Sequence, residues 1–389
     1  MNLDAVQQHL RQHRIDAWLI HDFRGNNPIL AAIVGGKRWT TRRVELLIPA
    51  RGEPELLVHS IDSIADFGAI GRTLYRSWGE LHAWLGERCR GRRIAMDFSP
   101  GGSLPGMSYV DAGTIELVRG LGAEVVGSAD LIQVGVATWS KEARENHARA
   151  SAAVTAAKDA AFALVRSRVA AGAGVHEYEV QQFIMGEFAR AGLETHEPPV
   201  VAVNAHAGDP HYTPAENLTA PITKGDWVLI DLWARVPGDQ NIYSDITWVG
   251  YCGREAPAKH REVYAAVKRA RDASLAFAQQ SWRGQRTVQG WELDEAARGP
   301  IIAAGYERGI WHRTGHSLSP GPLVHGLGMN LDNLETHDTR AMLPGIGFTI
   351  EPGIYLPDFG VRLEINVFVD PAKGPEVTSC VQDEILVLA

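Results

Sequence analysis

Four acidic residues set in or beside stretches patterned as buried strands constrain this chain more than any other feature. WVLIDLW (227–233) is an apolar run with Asp231 inside it. Strand alternation puts Leu229, Asp231 and Trp233 on one face. A carboxylate among apolar neighbours is costly unless it is paired or metal-bound. The loop GDQNIYS then leads to SDITWVG, with Asp245 near its start. The interval, 245 − 231 = 14 residues, suffices for two strands and a turn that bring both carboxylates to one point. FTIEPGIY places Glu351 at the end of an apolar strand, where Pro352 and Gly353 turn the chain. After 364 − 351 = 13 residues, VRLEINVFV places Glu364 inside another, with Arg362, Glu364 and Asn366 on one face. Singly, each has a bland reading: Asp231 as a buried structural acid, Asp245 as a turn residue, Glu364 as the salt-bridge partner of Arg362.

Together they read differently. WHRTGHS and PLVHGLG add His312, His316 and His325 in a Gly- and Pro-rich stretch. Four neighbouring carboxylates would repel one another, and some would hold protons, unless cations balanced them. Two divalent cations would cancel the four charges. Oxygen ligands with one imidazole and no cysteine suit manganese, cobalt, iron or zinc.

The remaining sequence supplies the frame. A length of 389 residues suggests two domains, and 45% hydrophobic with 22% charged residues is ordinary globular composition. The net charge of −8 argues against nucleic acid or an anionic membrane as the main partner. No apolar run approaches a membrane span. The N-terminus, MNLDAVQQHLRQHR, reads as an amphipathic helix rather than a secretory signal. Cys89, Cys252 and Cys380 are too few and too scattered for a disulfide framework, so a cytoplasmic location is expected.

The first third has an α/β pattern, with strands expected at 17–21, 44–48, 55–59 and 93–97 and helices at 81–89 and 108–119. No Gly-rich phosphate loop follows any of these strands. From Ser140 the texture becomes a long Ala-rich helix, which sets a boundary near residue 137. Further helices are expected at 175–191, 258–281 and 293–304. Strands are expected at 200–204, 227–233, 244–249, 347–351 and 362–369. This predicts an α/β domain over 1–137 and an α+β domain over 138–389. Trp18, Trp78, Trp227 and Trp311 are expected to serve core or interface packing.

LIDLW, SDITW, HRTGHSLSPGPLVHG, TIEPGIY and VRLEI, in this order over roughly residues 140–389, resemble the pita-bread metallopeptidases: methionine aminopeptidase, aminopeptidase P, prolidase and the non-metal relative creatinase. The first third resembles the creatinase-type N-terminal domain. The resemblance implies an α+β pita-bread catalytic domain preceded by a smaller α/β creatinase-like domain. It implies two divalent metal ions, manganese, cobalt or zinc, on Asp231, Asp245, His316, Glu351 and Glu364. It carries a catalytic histidine onto His211 of GDPHYTP, a second onto His325, and an arginine onto Arg362. The chain departs from the pattern in places. The Asp231–Asp245 interval is longer than usual. So is the interval 325 − 316 = 9, which leaves His325 as a rival to His316 for the metal.

The implied activity is hydrolysis of the Xaa-Pro bond of small peptides, with dipeptides preferred. The alternatives are an Xaa-Pro aminopeptidase acting on longer peptides and an inactive family member that serves as a binding protein. Bound metals lower the pKa of a water. Glu351 is then expected to relay the proton to the leaving nitrogen, with His325 and His211 binding the substrate carbonyl or the tetrahedral intermediate. Arg362 is expected to hold Glu364 or to bind a substrate carboxylate, for which Arg340 is another candidate. A homodimer is expected from the resemblance alone.

Overall fold

The apolar runs of the first third assemble into one mixed sheet. The computed structural model describes residues 1–388, and the chain divides into two compact units, Met1–Ala137 and Thr138–Ala389. In the first, α1 (Leu3–Gln12) precedes β1 (Ala17–Phe23), α2 (Pro28–Ile33), β2 (Arg43–Pro49), β3 (Glu55–His59) and β4 (Gly71–Tyr75). Then come α3 (Trp78–Cys89), β5 (Arg93–Met96), α4 (Ala112–Gly120), β6 (Glu124–Gly127) and α5 (Ala129–Ile132). The sheet order is β4-β3-β2-β1-β5-β6, with β1–β2 and β2–β3 antiparallel and the rest parallel. The two edge strands were not expected. Most of β4 is exposed and β6 is no more than half-buried, so neither carries the apolar run that marks an inner strand. Both helices start away from their expected positions because their caps do: Ser77 accepts from the Glu80 amide and Asp111 from the Thr114 amide.

The second unit begins as expected, with Ser140 capping α6 (Lys141–Ala170) through the Ala143 amide. Next come β7 (Val175–His176), α7 (Glu177–Arg190), β8 (Val200–Val203), β9 (Pro221–Ile222), β10 (Trp227–Ala234) and β11 (Ser244–Tyr251). The chain continues through α8 (Ala258–Arg283), α9 (Gly290–Ala303), β12 (Ser317–Leu318), β13 (Gly347–Ile350) and β14 (Gly353–Tyr355). It ends with β15 (Gly360–Arg362), β16 (Ile365–Asp370), β17 (Gly374–Val377) and β18 (Leu386–Val387). Two four-stranded sheets form, β18-β11-β10-β8 and β12-β13-β16-β17, with two-stranded pairs β14-β15 and β7-β9.

The first of these sheets is covered on both faces, which is why WVLIDLW is apolar throughout. Val228, Ile230 and Leu232 pack with Phe162 of α6 and Ile184 of α7. Leu229 faces the other way, onto Val263 and Val267 of α8. Asp231 shares that second face. The two sheets are tied where Asn366 of β16 accepts from the Asp245 amide at 3.0 Å and donates to the Asp245 carbonyl.

The 362–369 stretch is not one strand. β15 ends at Arg362 and β16 starts at Ile365, so Glu364 sits in the break, with its amide reaching the Thr247 carbonyl at 3.3 Å. Trp18 and Trp227 are core residues, whereas Trp78 and Trp311 are exposed. Among the described residues, no helix is long and apolar enough to cross a membrane.

Candidate active site

Strand pairing brings the four acids together. β10 and β11 are antiparallel with Asp231 opposite Thr247 and Trp233 opposite Asp245, so both aspartates leave the sheet on one face, two pairs apart along the ladder. Glu351 follows β13, and Glu364 lies in the β15–β16 break. His316 immediately precedes β12. It approaches because Gly315 has no side chain: a Cβ there would fall 2.1 Å from the Thr349 carbonyl oxygen. This closeness lets the His316 amide donate to Thr349 Oγ1 at 3.0 Å and the Thr349 amide to the His316 carbonyl at 2.9 Å.

His316 Nε2 stands 3.3 Å from Asp245 Oδ2 and 3.5 Å from Glu351 Oε1. Its Nδ1 lies 3.1 Å from the Ser317 carbonyl, which can only accept. Nδ1 therefore carries the proton and Nε2 turns a bare lone pair toward the acids. His325 takes a different place, its ring tilted at 58° with its centroid 4.2 Å from that of His316. His211 is exposed at the rim, its amide donating to Asp209 Oδ1 at 2.9 Å. Both histidines line the same cavity of about 690 Å³ as the acids.

Arg362 corrects one expectation. Its Nη2 donates to Asp231 Oδ2, its Nη1 to the Tyr355 hydroxyl at 2.7 Å and its Nε to Thr247 Oγ1 at 3.1 Å. It is tied to Asp231, and Glu364 is reached only through Thr247. The Thr247 hydroxyl lies 3.0 Å from Asp231 Oδ1 and 2.9 Å from Glu364 Oε2, and donates its single proton to one of them. The Tyr355 hydroxyl donates to His312 Nε2 at 2.7 Å, since His312 Nδ1 is committed to the Arg313 carbonyl. Arg340 is buried against Asp338, with Nε 3.0 Å from Oδ1, and does not line the cavity. Thr247 and Thr349 escaped the sequence reading, although each lies two residues from a singled-out acid and so on its face.

Electrostatics show what the cluster lacks. Burial, then repulsion from Asp231 and Glu351, holds the Asp245 carboxyl far above the usual carboxylate range. Burial and Asp245 do the same to Glu364. Glu351 is raised to about 7, chiefly by burial. Burial, followed by the Arg313 charge, lowers His325 to about 4. Among the described residues Arg362 is the one guanidinium bound directly to a carboxylate of the cluster, so the acids are undercompensated. Asp245 Oδ1 and Glu364 Oε1 are buried without a hydrogen-bond partner. Asp245, His316 and Glu364 offer ligand atoms all within 4.8 Å of one another. Orphaned carboxylate oxygens beside a bare imidazole nitrogen fit a divalent cation.

Across residues 144–371 the chain matches the family described as Metallopeptidase family M24, and it belongs to that family. YkvY of Bacillus subtilis (strain 168), a chain named as a dipeptidase, is 31% identical over 233 residues, 59% of each chain. The Xaa-Pro dipeptidase of Lactobacillus helveticus is 30% identical over 202 residues, 51% of this chain and 47% of that one. The chain thus spans about half to three-fifths of the length of the curated relatives it matches. The crystal structure of dipeptidase PepE from Mycobacterium ulcerans superposes with a TM-score of 0.73 at 22% identity, covering 99% of this chain and 96% of that one. The architecture is accordingly the family's pita-bread catalytic domain together with a smaller α/β domain.

Proposed function

We propose that the protein hydrolyses the Xaa-Pro bond of dipeptides with two divalent metal ions, manganese, cobalt or zinc, held by Asp231, Asp245, His316, Glu351 and Glu364. The observation that carries this reading is the pair of orphaned oxygens, Asp245 Oδ1 and Glu364 Oε1, on two carboxylates that offer ligand atoms within 4.8 Å of each other and of His316. The family and the dipeptidase names of the curated relatives point the same way.

Bound metals would supply Lewis acidity toward the scissile carbonyl and activate a water at neutral pH. The protein's own groups do the rest. Glu351, which lies beside His316 Nε2 at 3.5 Å, is placed to pass a proton to the leaving proline nitrogen. That transfer matters because the ring nitrogen departs as an amine only when protonated. His325, lowered to about 4, is neutral at pH 7 and can donate one N–H to the substrate carbonyl. His211, at the rim of the cavity, serves the same end of the substrate. Arg362, Tyr355 and Thr247 fix the Asp231 carboxylate and keep its oxygens directed at the cluster.

A cytoplasmic homodimer is part of the proposal. The test is hydrolysis of Ala-Pro against Ala-Pro-Ala and longer Xaa-Pro peptides in the presence of each metal. Dipeptides are expected to be cleaved faster. Equal or faster cleavage of the longer peptides would make the enzyme an Xaa-Pro aminopeptidase. No cleavage and no bound metal would leave a binding protein.

A further inference from the structure

The cavity is strongly acidic. Six carboxylates line it against two guanidinium groups, those of Arg313 and Arg362. Two divalent cations would offset four of these, and away from the metals a substrate carboxylate finds its donors at a guanidinium with N–H groups to spare. Arg362 is buried, 5% exposed, and each of its nitrogens already donates once, to Thr247, Tyr355 and Asp231, so its fork is committed to the cluster. Arg340 is absent from the lining and locked on Asp338.

Arg313 is different. Its side chain is 22% exposed, and its guanidinium makes a single long contact, Nη1 to Glu335 Oε2 at 3.4 Å. Glu335 also accepts from the Arg313 backbone amide at 3.0 Å, so the same carboxylate anchors the residue at its root and steadies its tip. Arg313 lies three residues from His316, on the same stretch, and its charge is felt at His325 and Glu351 inside the cluster. A fork that is held at one corner and open at the others is built for a second, planar anion.

We infer that Arg313 is the carboxylate receptor of this site. This rests on the dipeptidase reading and deepens it, because a free carboxylate is what separates a dipeptide from a longer peptide. The carboxylate comes from one of two places on the substrate, the C-terminus of the proline or the side chain of an acidic first residue.

The experiment compares kcat/KM for Ala-Pro with Ala-Pro-amide, and for Glu-Pro with Gln-Pro, in the metal-loaded wild type, Arg313→Gln and Arg313→Lys. Both members of a pair are read on the same protein, so a general loss of folding or metal cancels. In Arg313→Gln, one of the two ratios is expected to fall by about tenfold or more, mainly through KM. Arg313→Lys, a point charge in place of a fork, should recover part of that loss. A fall in the Ala-Pro pair assigns the proline carboxylate, and a fall in the Glu-Pro pair assigns the acidic side chain. Ratios in Arg313→Gln that stay within about twofold of wild type in both pairs, against the tenfold expected for a charged hydrogen bond, overturn the inference but leave the dipeptidase reading intact. A wild type inert on all four substrates overturns both.

Discussion

The hydroxyl of Thr247 lies 2.9 Å from the Glu364 carboxylate and 3.0 Å from that of Asp231, and so joins the acid of the β15–β16 break to the β10–β11 pair. Thr247→Val keeps the shape and removes that tie. Metal affinity is expected to fall by about tenfold or more, as it does when groups that orient ligands are removed. Thr247→Ser should restore most of it. Competition titrations with a chromogenic chelator read the effect. An unchanged affinity in the valine variant would show that Glu364 orients itself.

The undercompensated acids predict an opposition between stability and metal binding. In the metal-free protein, Asp245→Asn removes a buried charge or its proton from a repulsive cluster. The variant is expected to be as stable as the metal-free wild type or more so, by about 1 kcal/mol. It should gain little from added manganese, cobalt or zinc, whereas the wild type gains roughly 2.7 kcal/mol at a hundredfold excess over Kd. Thermal melts with chelator and with each metal test both halves. A metal-dependent rise in Tm as large in the variant as in the wild type would contradict the ligand assignment.

Arg362 can be tested for which acid it holds. Because it grips Asp231, Arg362→Met leaves a buried carboxylate uncompensated and is expected to cost about 3 kcal/mol in urea denaturation. The double variant Arg362→Met with Asp231→Asn should recover much of that cost, whereas pairing Arg362→Met with Glu364→Gln should recover less. The reverse order of recovery would restore Glu364 as the main partner.

His147 on α6 gives a pH signature away from the cluster. It is buried between the Tyr243 carbonyl and the Thr378 hydroxyl, and burial lowers it from 6.5 to about 4. Between those values the unfolded chain binds more protons than the folded one. The neutral side chain's contribution is therefore present above about pH 6.5 and lost as pH falls toward 4. Between about pH 7 and pH 5 the wild type should lose about 2 kcal/mol through this residue alone. His147→Asn should lose correspondingly less over the same interval. Denaturant titrations at the two pH values, with chelator present in both, read the difference.

Much of this architecture was legible because burial writes itself into sequence. β10 and β11 announced themselves as apolar runs, and the acids stood out against them. The edge strands β4 and β6 did not, because exposed strands carry no apolar signature. Alternation put Arg362, Glu364 and Asn366 on one face, and all three side chains reach β11, but the interruption between β15 and β16 leaves no trace in an unbroken apolar string. The partner of Arg362 was misjudged for the same reason: proximity in sequence favoured Glu364, while the fold supplied Asp231 from a strand 131 residues away. The HRTGH spacing favoured His316 over His325, but the direction of the His316 ring, with Nδ1 on the Ser317 carbonyl and Nε2 toward Asp245, is a property of the fold that no spacing carries.

The register of β10 on β11 has a consequence for how the segment between them can vary. Asp231 faces Thr247 and Asp245 faces Trp233, whatever happens at residues 235–243. Residues can be added at the turn without moving either acid, so long as the ladder itself does not slide. A slide of one position would send one strand's acid through the sheet, into the space filled by Phe162 and Ile184. The parity of the pairing, rather than the length of the connection, is what the chemistry depends on.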